Sequence, residues 1–191
     1  MDPAANPLTG ALLVARKLLI SSFQPIPKPI RRGRRPGERL RLGESTPAGR
    51  SYYEAADTEM REYAQWVEAL PNFYTIDMHG DPEAVFIGDD ELSPRDLAAL
   101  IRADPQWQNR SVRLLSCETG QGSDPFAQQL ANELGVPVWA PNEIAWTDED
   151  GVVVVATEVT DPDTGEVDAK DPPDGDWILF EPENEQGGSG S

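Results

Sequence analysis

Apolar positions along the chain recur with two different periods, and the changes of period divide it into alternating helices and strands. Ser51 with Glu54 matches a capping box, and Tyr53, Ala56, Met60, Tyr63, Val67 and Leu70 follow near helical spacing. Together they predict a helix from Ser51 to the break at Pro71-Asn72. Residues 73–78 are β-rich and mostly apolar and predict a buried strand, with a short second strand at 84–87. Ser93 as cap and Pro94 in the first turn open a helix whose inner face is Leu97, Leu100 and Ile101, ending before Asp104-Pro105. A strand at 111–116 follows. Asp124-Pro125 then opens a helix with Phe126, Leu130 and Leu134 on one face and Gly135 as its C-terminal glycine, and 136–140 is again a strand.

Strand, helix, strand, helix, strand is the pattern of an α/β fold, a mostly parallel sheet flanked by helices on both faces. Beyond Pro141 the pattern predicts a C-terminal β-hairpin extension, with strands at 151–156 and 177–180 joined through the turn signal at 161–165. Residues 21–50 carry no apolar period, and Pro25, Pro27 and Pro29 favour extended backbone. The expected organisation is a basic Pro/Arg-rich arm and linker over 1–50, an α/β domain over 51–183 and a flexible tail over 184–191. Within the arm, 11–20 is a candidate short helix.

Charge sharpens this division. The 191 residues carry a net −18, yet ten of the sixteen basic residues and only three of the thirty-four acids lie in the first fifty. The arm is therefore +7 and the remaining 141 residues −25. The run Arg31–Arg35 has no interleaved aromatics and is tied to a body that repels phosphates, which argues against nucleic acid as a partner. No apolar run approaches the ~20 residues of a membrane span, and Arg16 and Lys17 interrupt 11–23, which also lacks a signal-peptide cleavage pattern. A single Cys excludes an internal disulfide framework, and one Cys with one His is too few for a structural zinc site. The acids of 161–168 have a calcium-loop flavour, but Pro162 and the missing terminal Glu break that pattern, so a hairpin turn is expected and no metal or cofactor is. The five Trp fall at element ends and read as packing.

The one His and the one Cys occupy equivalent places. His79-Gly80 follows the strand at 73–78, and Cys117 follows the strand at 111–116, with Gly120 just beyond. In an open α/β sheet, ligands bind outside the carboxyl ends of the strands. If the two strands are neighbours, imidazole and thiol arrive at one edge, as a thiolate nucleophile with a proton-handling partner requires. The N–H groups of Gly80 and Cys117 are candidate oxyanion donors. The plainer reading is a small buried Cys and a capping or core His.

Met78-His79-Gly80, followed 38 residues after the His by Leu115-Ser116-Cys117-Glu118-Thr119-Gly120, resembles the caspase-like cysteine peptidases. The likeness is greatest to the CHAT group and to toxin autoprocessing domains, and covers about residues 73–141, including the helix region 92–101. The CHAT motif has an Ala before the Cys, which is missing here; either Ser116 takes that place or the strand end is shifted by one residue. Residues 126–141 look like segments in C-terminal domains of large actinobacterial polymorphic-toxin-like proteins. The resemblance implies a caspase-like sheet, Cys117 as nucleophile, His79 as general acid/base and Gly80 as an oxyanion donor. It also implies a protein or peptide substrate, an autoprocessing or toxin-associated role, and export as part of a larger bacterial protein.

The −25 body favours a basic side chain beside the scissile bond. Asp77 alternates to the face of His79 and is a candidate specificity carboxylate, as are Glu118 and Asp148 to Asp150. The arm at Arg31–Arg35 is then a candidate internal substrate. The competing expectation is a catalytically inactive acidic module, an inhibitor or partner of a basic protein, on the same fold. Oligomeric state is not legible in the sequence.

Overall fold

The computed structural model describes residues 34–148 and 150–183. The candidate helix at 11–20, Arg31 and Arg32 of the arm, and the tail at 184–191 lie outside the described residues. The elements in chain order are α1 (Pro36–Leu40), β1 (Glu44–Ser45), β2 (Gly49–Ser51), α2 (Thr58–Trp66), β3 (Phe73–Asp77), β4 (His79–Gly80), β5 (Val85–Ile87) and β6 (Asp90–Leu92). They continue as α3 (Pro94–Arg102), β7 (Ser111–Leu115), α4 (Phe126–Leu134), β8 (Val138–Pro141), β9 (Ile144–Thr147), β10 (Val153–Ala156), β11 (Glu158–Thr160), β12 (Val167–Ala169) and β13 (Trp177–Phe180).

The architecture is mixed α/β around a six-stranded sheet in the order β1-β2-β3-β7-β8-β13. Its four inner strands are parallel, and β1 and β13 are antiparallel edges. Alternation along β3 and β7 sorts the side chains onto two faces. Tyr74, Ile76, Val112 and Leu114, with Val138 and Ala140 of β8, join Leu97, Leu100 and Ile101 of α3 and Phe126 and Leu130 of α4 in the main core. Each fully buried aliphatic side chain there contributes about 1.5–3 kcal/mol. Helix α3 begins as its sequence predicts, with Ser93 and Asp96 closing a capping box and Pro94 in the first turn. Helix α4 ends at Gly135 in the left-handed conformation, φ 73°.

The second face is covered by the end of α2 and by a β-hairpin. Val67, just past α2, packs with Ala48 and Leu115, and Ala145 and Val153 of the β9–β10 hairpin close over them. The short strand expected at 84–87 leaves the main sheet and forms, as β5, the middle of a three-stranded sheet β4-β5-β6. The turn expected at 161–165 is the β11–β12 hairpin, where Asp161 Oδ1 accepts the N–H groups of Asp163 and Thr164. It does not join the two strands expected of a C-terminal hairpin: β10 pairs with β9, and β13 returns to the edge of the main sheet beside β8, because each finds a closer partner than the other.

Two boundaries move. No helix starts at Ser51: residues 49–51 are β2, pairing parallel with β3, and Ser51 is buried. A strand pairing beats the local cap signal here because Gly49 lets the backbones touch. A Cβ at that position would lie 2.1 Å from the Thr75 carbonyl oxygen. The folded unit also begins before Ser51, since α1 packs on α3 and Arg39 is buried beside Asp96. Arg50, read as part of a solvated linker, donates through Nε to Asp104 Oδ2 at 2.5 Å, where the Tyr74 hydroxyl also donates. Arg34 pairs with Asp90 on β6 at 3.2 Å.

Candidate active site

Strands β3 and β7 are direct neighbours, with Asp77 beside Leu115 as their last pair. Met78 N–H still donates to the Leu115 carbonyl, and the Ser116 hydroxyl donates to the Met78 carbonyl at 2.7 Å, so the two strands stay stapled past their ends. Past these ends His79 opens β4, and Cys117 begins the turn after β7. Tyr53 links the two: its ring meets His79 and its hydroxyl is acted on by Cys117. Ser116 is the staple. Gly80 sits directly behind it: a Cβ there would meet Ser116 Cβ at 2.9 Å and Thr119 Cγ2 at 3.3 Å, so a side chain would push the two strand ends apart.

Around this pair the segment 52–57 forms a strap between β2 and α2. Tyr52 N–H donates to the Asp77 carbonyl oxygen at 2.9 Å, tying the start of the strap to the end of β3. Tyr53 is 9% exposed; its ring meets the His79 imidazole edge to face, 5.0 Å between centroids and 77° between planes. Its hydroxyl donates to Asp77 Oδ1. Burial first, then Asp77, Cys117 and Asp57 around it, push that hydroxyl well above the ordinary tyrosine range. Asp57 stands at the N-cap of α2, but its side chain caps nothing. Its Oδ2 lies 3.3 Å from His79 Nε2 instead. His79 and Asp57 remain partly open to solvent, with side chains 34% and 21% exposed.

Cys117 is half-buried and packs against Ile144, Trp146 and Ala156, where the β9–β10 hairpin lies over the thiol. The chain turns sharply after it: Glu118 has φ 59°, a left-handed conformation that a non-glycine residue adopts at a cost, and its N–H donates to the Glu143 carbonyl. Glu118 is half-buried on this turn.

Asp77 is not an open specificity carboxylate. It is 4% exposed, covered by Tyr53, and has Arg113 nearby within the sheet face. Arg113 is itself buried, donating to Thr75 Oγ1 and the Glu68 carbonyl. Burial pushes the Asp77 carboxyl up to about 7, against the lowering effects of the Tyr53 hydroxyl and Arg113. A substrate side chain reaches this acid only by displacing Tyr53. Asp148 is also engaged, its Oδ1 accepting the N–H groups of Asp150 and Val152 in the turn between β9 and β10. Among the described residues no group of three or more His, Cys, Asp or Glu side chains is placed to hold a metal ion.

The sequence reading places His79 and Cys117 but passes over Tyr53 and Asp57, because it assigned both to the inside of a helix. The signal for Asp57 is its position directly before Thr58, where a helix starts at the carboxyl edge of the sheet. A domain-family model described as a domain of unknown function (DUF8616) matches residues 49–155, more than half of the chain and including Tyr53, Asp57, Asp77, His79 and Cys117. No curated protein and no solved structure matches the chain.

Proposed function

The chain belongs to the DUF8616 family, and we propose that it is a cysteine endopeptidase of caspase-like type, working through His79 and Cys117. The observation that supports this reading is the parallel pairing of β3 with β7, whose carboxyl ends lead into the chain's one imidazole and one thiol, with Tyr53 acted on by both. The Cys117 thiolate attacks the peptide carbonyl carbon, and the N–H groups of Gly80 and Cys117 receive the developing oxyanion. His79 takes the thiol proton and passes it to the leaving amine; a water then hydrolyses the thioester. Asp57, against Nε2, holds the imidazole in place.

The substrate is a protein or peptide, and the acidic body favours a basic residue before the scissile bond. With Asp77 covered, Glu118 and Asp57 are the acids left at the rim of the site. A self-cut in the basic arm falls upstream of Arg34, since Arg35 already caps α1, its carbonyl accepting the N–H groups of Glu38 and Arg39.

Iodoacetamide tests the reading directly, because only one thiol can react. Cys117 is expected to alkylate faster than a model thiol at neutral pH, and at least about tenfold more slowly in His79→Ala. Peptides with Arg or Lys before the cut should be cleaved by the wild type and not by Cys117→Ala. A thiol no more reactive than the model compound, unaffected by His79→Ala, overturns the proposal.

A further inference from the structure

Tyr53, Asp77 and His79 form a chain of contacts that the chemistry above does not itself require. A tyrosine that merely fills space at this depth has no need of an acid beneath it, and burying a carboxyl group is costly. Here the acid is buried under the hydroxyl, and the edge-to-face ring contact puts the same tyrosine against the imidazole. The strap carrying Tyr53 is fixed at both ends, by Tyr52 N–H on the Asp77 carbonyl and by Asp57 against His79. In its middle, Glu54 packs on the β5–β6 turn, where a Cβ on Gly88 would lie 2.7 Å from Glu54 Oε1. The imidazole is thereby faced by Asp57 from the N-terminus of α2 and by Tyr53 from the strap, with Asp77 at the end of β3 under the tyrosine hydroxyl and Cys117 on the turn after β7. Arg113 stands behind Asp77.

We propose that Tyr53, anchored on Asp77, is a positioning residue for His79: it fixes the plane of the imidazole so that Nε2 meets Asp57 and Nδ1 is left for the Cys117 thiol. Tyr53 touches no reacting atom in this scheme and acts only through His79. Asp77 holds the tyrosine in place and does not select substrate. The inference rests on the peptidase reading of the same site, but its readout does not.

His79 is the one histidine in the chain, so nitrogen-15 imidazole NMR of the whole protein observes it alone. In the wild type a single dominant tautomer is expected. Tyr53→Phe keeps the ring and loses the bond to Asp77; it should mix the tautomers and move the His79 titration midpoint by about half a pH unit or more. Asp77→Asn still offers the hydroxyl an acceptor and should retain the single tautomer, whereas Asp77→Leu should reproduce Tyr53→Phe. If Asp77→Leu does not fold, Tyr53→Phe alone decides. A Tyr53→Phe protein with the wild-type tautomer ratio, and a midpoint within about 0.1 pH unit of the wild type, overturns the inference. Cys117 alkylation measured beside it keeps the two questions apart. A thiol no faster than a model compound removes the peptidase reading, while the imidazole spectra decide the role of Tyr53 in either case.

Discussion

Asp77 shows how one buried acid leaves a mark on the whole protein. Below about pH 4 it is protonated in both folded and unfolded chains and has no effect on stability. As pH rises to about 7 the unfolded chain releases this proton while the folded chain keeps it, so stability falls through that window. Over the roughly three pH units involved, at about 1.4 kcal/mol each, the ionised group costs the fold on the order of 4 kcal/mol. Asp77→Asn lacks this penalty. Its stability relative to the wild type, measured by urea unfolding, should therefore rise from pH 4 and level off above about pH 7, and a constant difference would contradict the buried, Tyr53-covered environment. His79 and Cys117 were legible as candidates because each is the one residue of its kind and each follows a clear strand. Asp77 was legible only by parity. Alternation places it on the face of His79 but says nothing of the tyrosine that covers it, which arrives from a segment 24 residues away.

Among the elements, β2 decides more than its three residues suggest. It pairs with β3 on one side and leads straight into the strap that carries Tyr53 and Asp57. The pairing depends on Gly49, so Gly49→Ala should unseat β2. The expected loss is on the order of 3 kcal/mol or more, comparable to a severe overpacking change, read as a lower denaturation midpoint. The same variant should disturb the His79 imidazole signal while leaving helix content largely intact. A Gly49→Ala protein as stable as the wild type would remove the reason given for the strand. Strands β3 and β7 and helices α3 and α4 were readable because they are the longer, strongly patterned elements, with caps and C-terminal glycine in place. The two- and three-residue strands β1, β2, β4 and β6 were not. Segments so short carry no period of their own, and pairing partners distant in the chain create them.

On the scale of the whole molecule, charge and topology act together. In the proposed function, the net −25 of residues 51–191 attracts basic peptides to the site, and that attraction is screened over about 8 Å at physiological salt. Cleavage of a basic peptide should accordingly lose several-fold in kcat/KM between 50 mM and 500 mM salt, on the order of the steering effect for a charged cleft, while a neutral peptide changes little. Equal salt dependence for both peptides would remove the electrostatic account of substrate preference. The arm tests the same field within one chain. Arg34 on Asp90, Arg39 beside Asp96 and Arg50 on Asp104 show basic residues from the first fifty already neutralised by the acidic body. By itself the sequence determined the α/β pattern, the Ser93 cap of α3, the Gly135 end of α4, the division of charge and the two residues that carry the proposed chemistry, because all of these are local or compositional. Only the tertiary structure decided that β3 lies beside β7, that β2 is a strand, and that Tyr53 and Asp57 close around His79. Those contacts join residues 22 to 38 positions apart, and the burial and backbone pairing that create them come into being only when the sheet assembles.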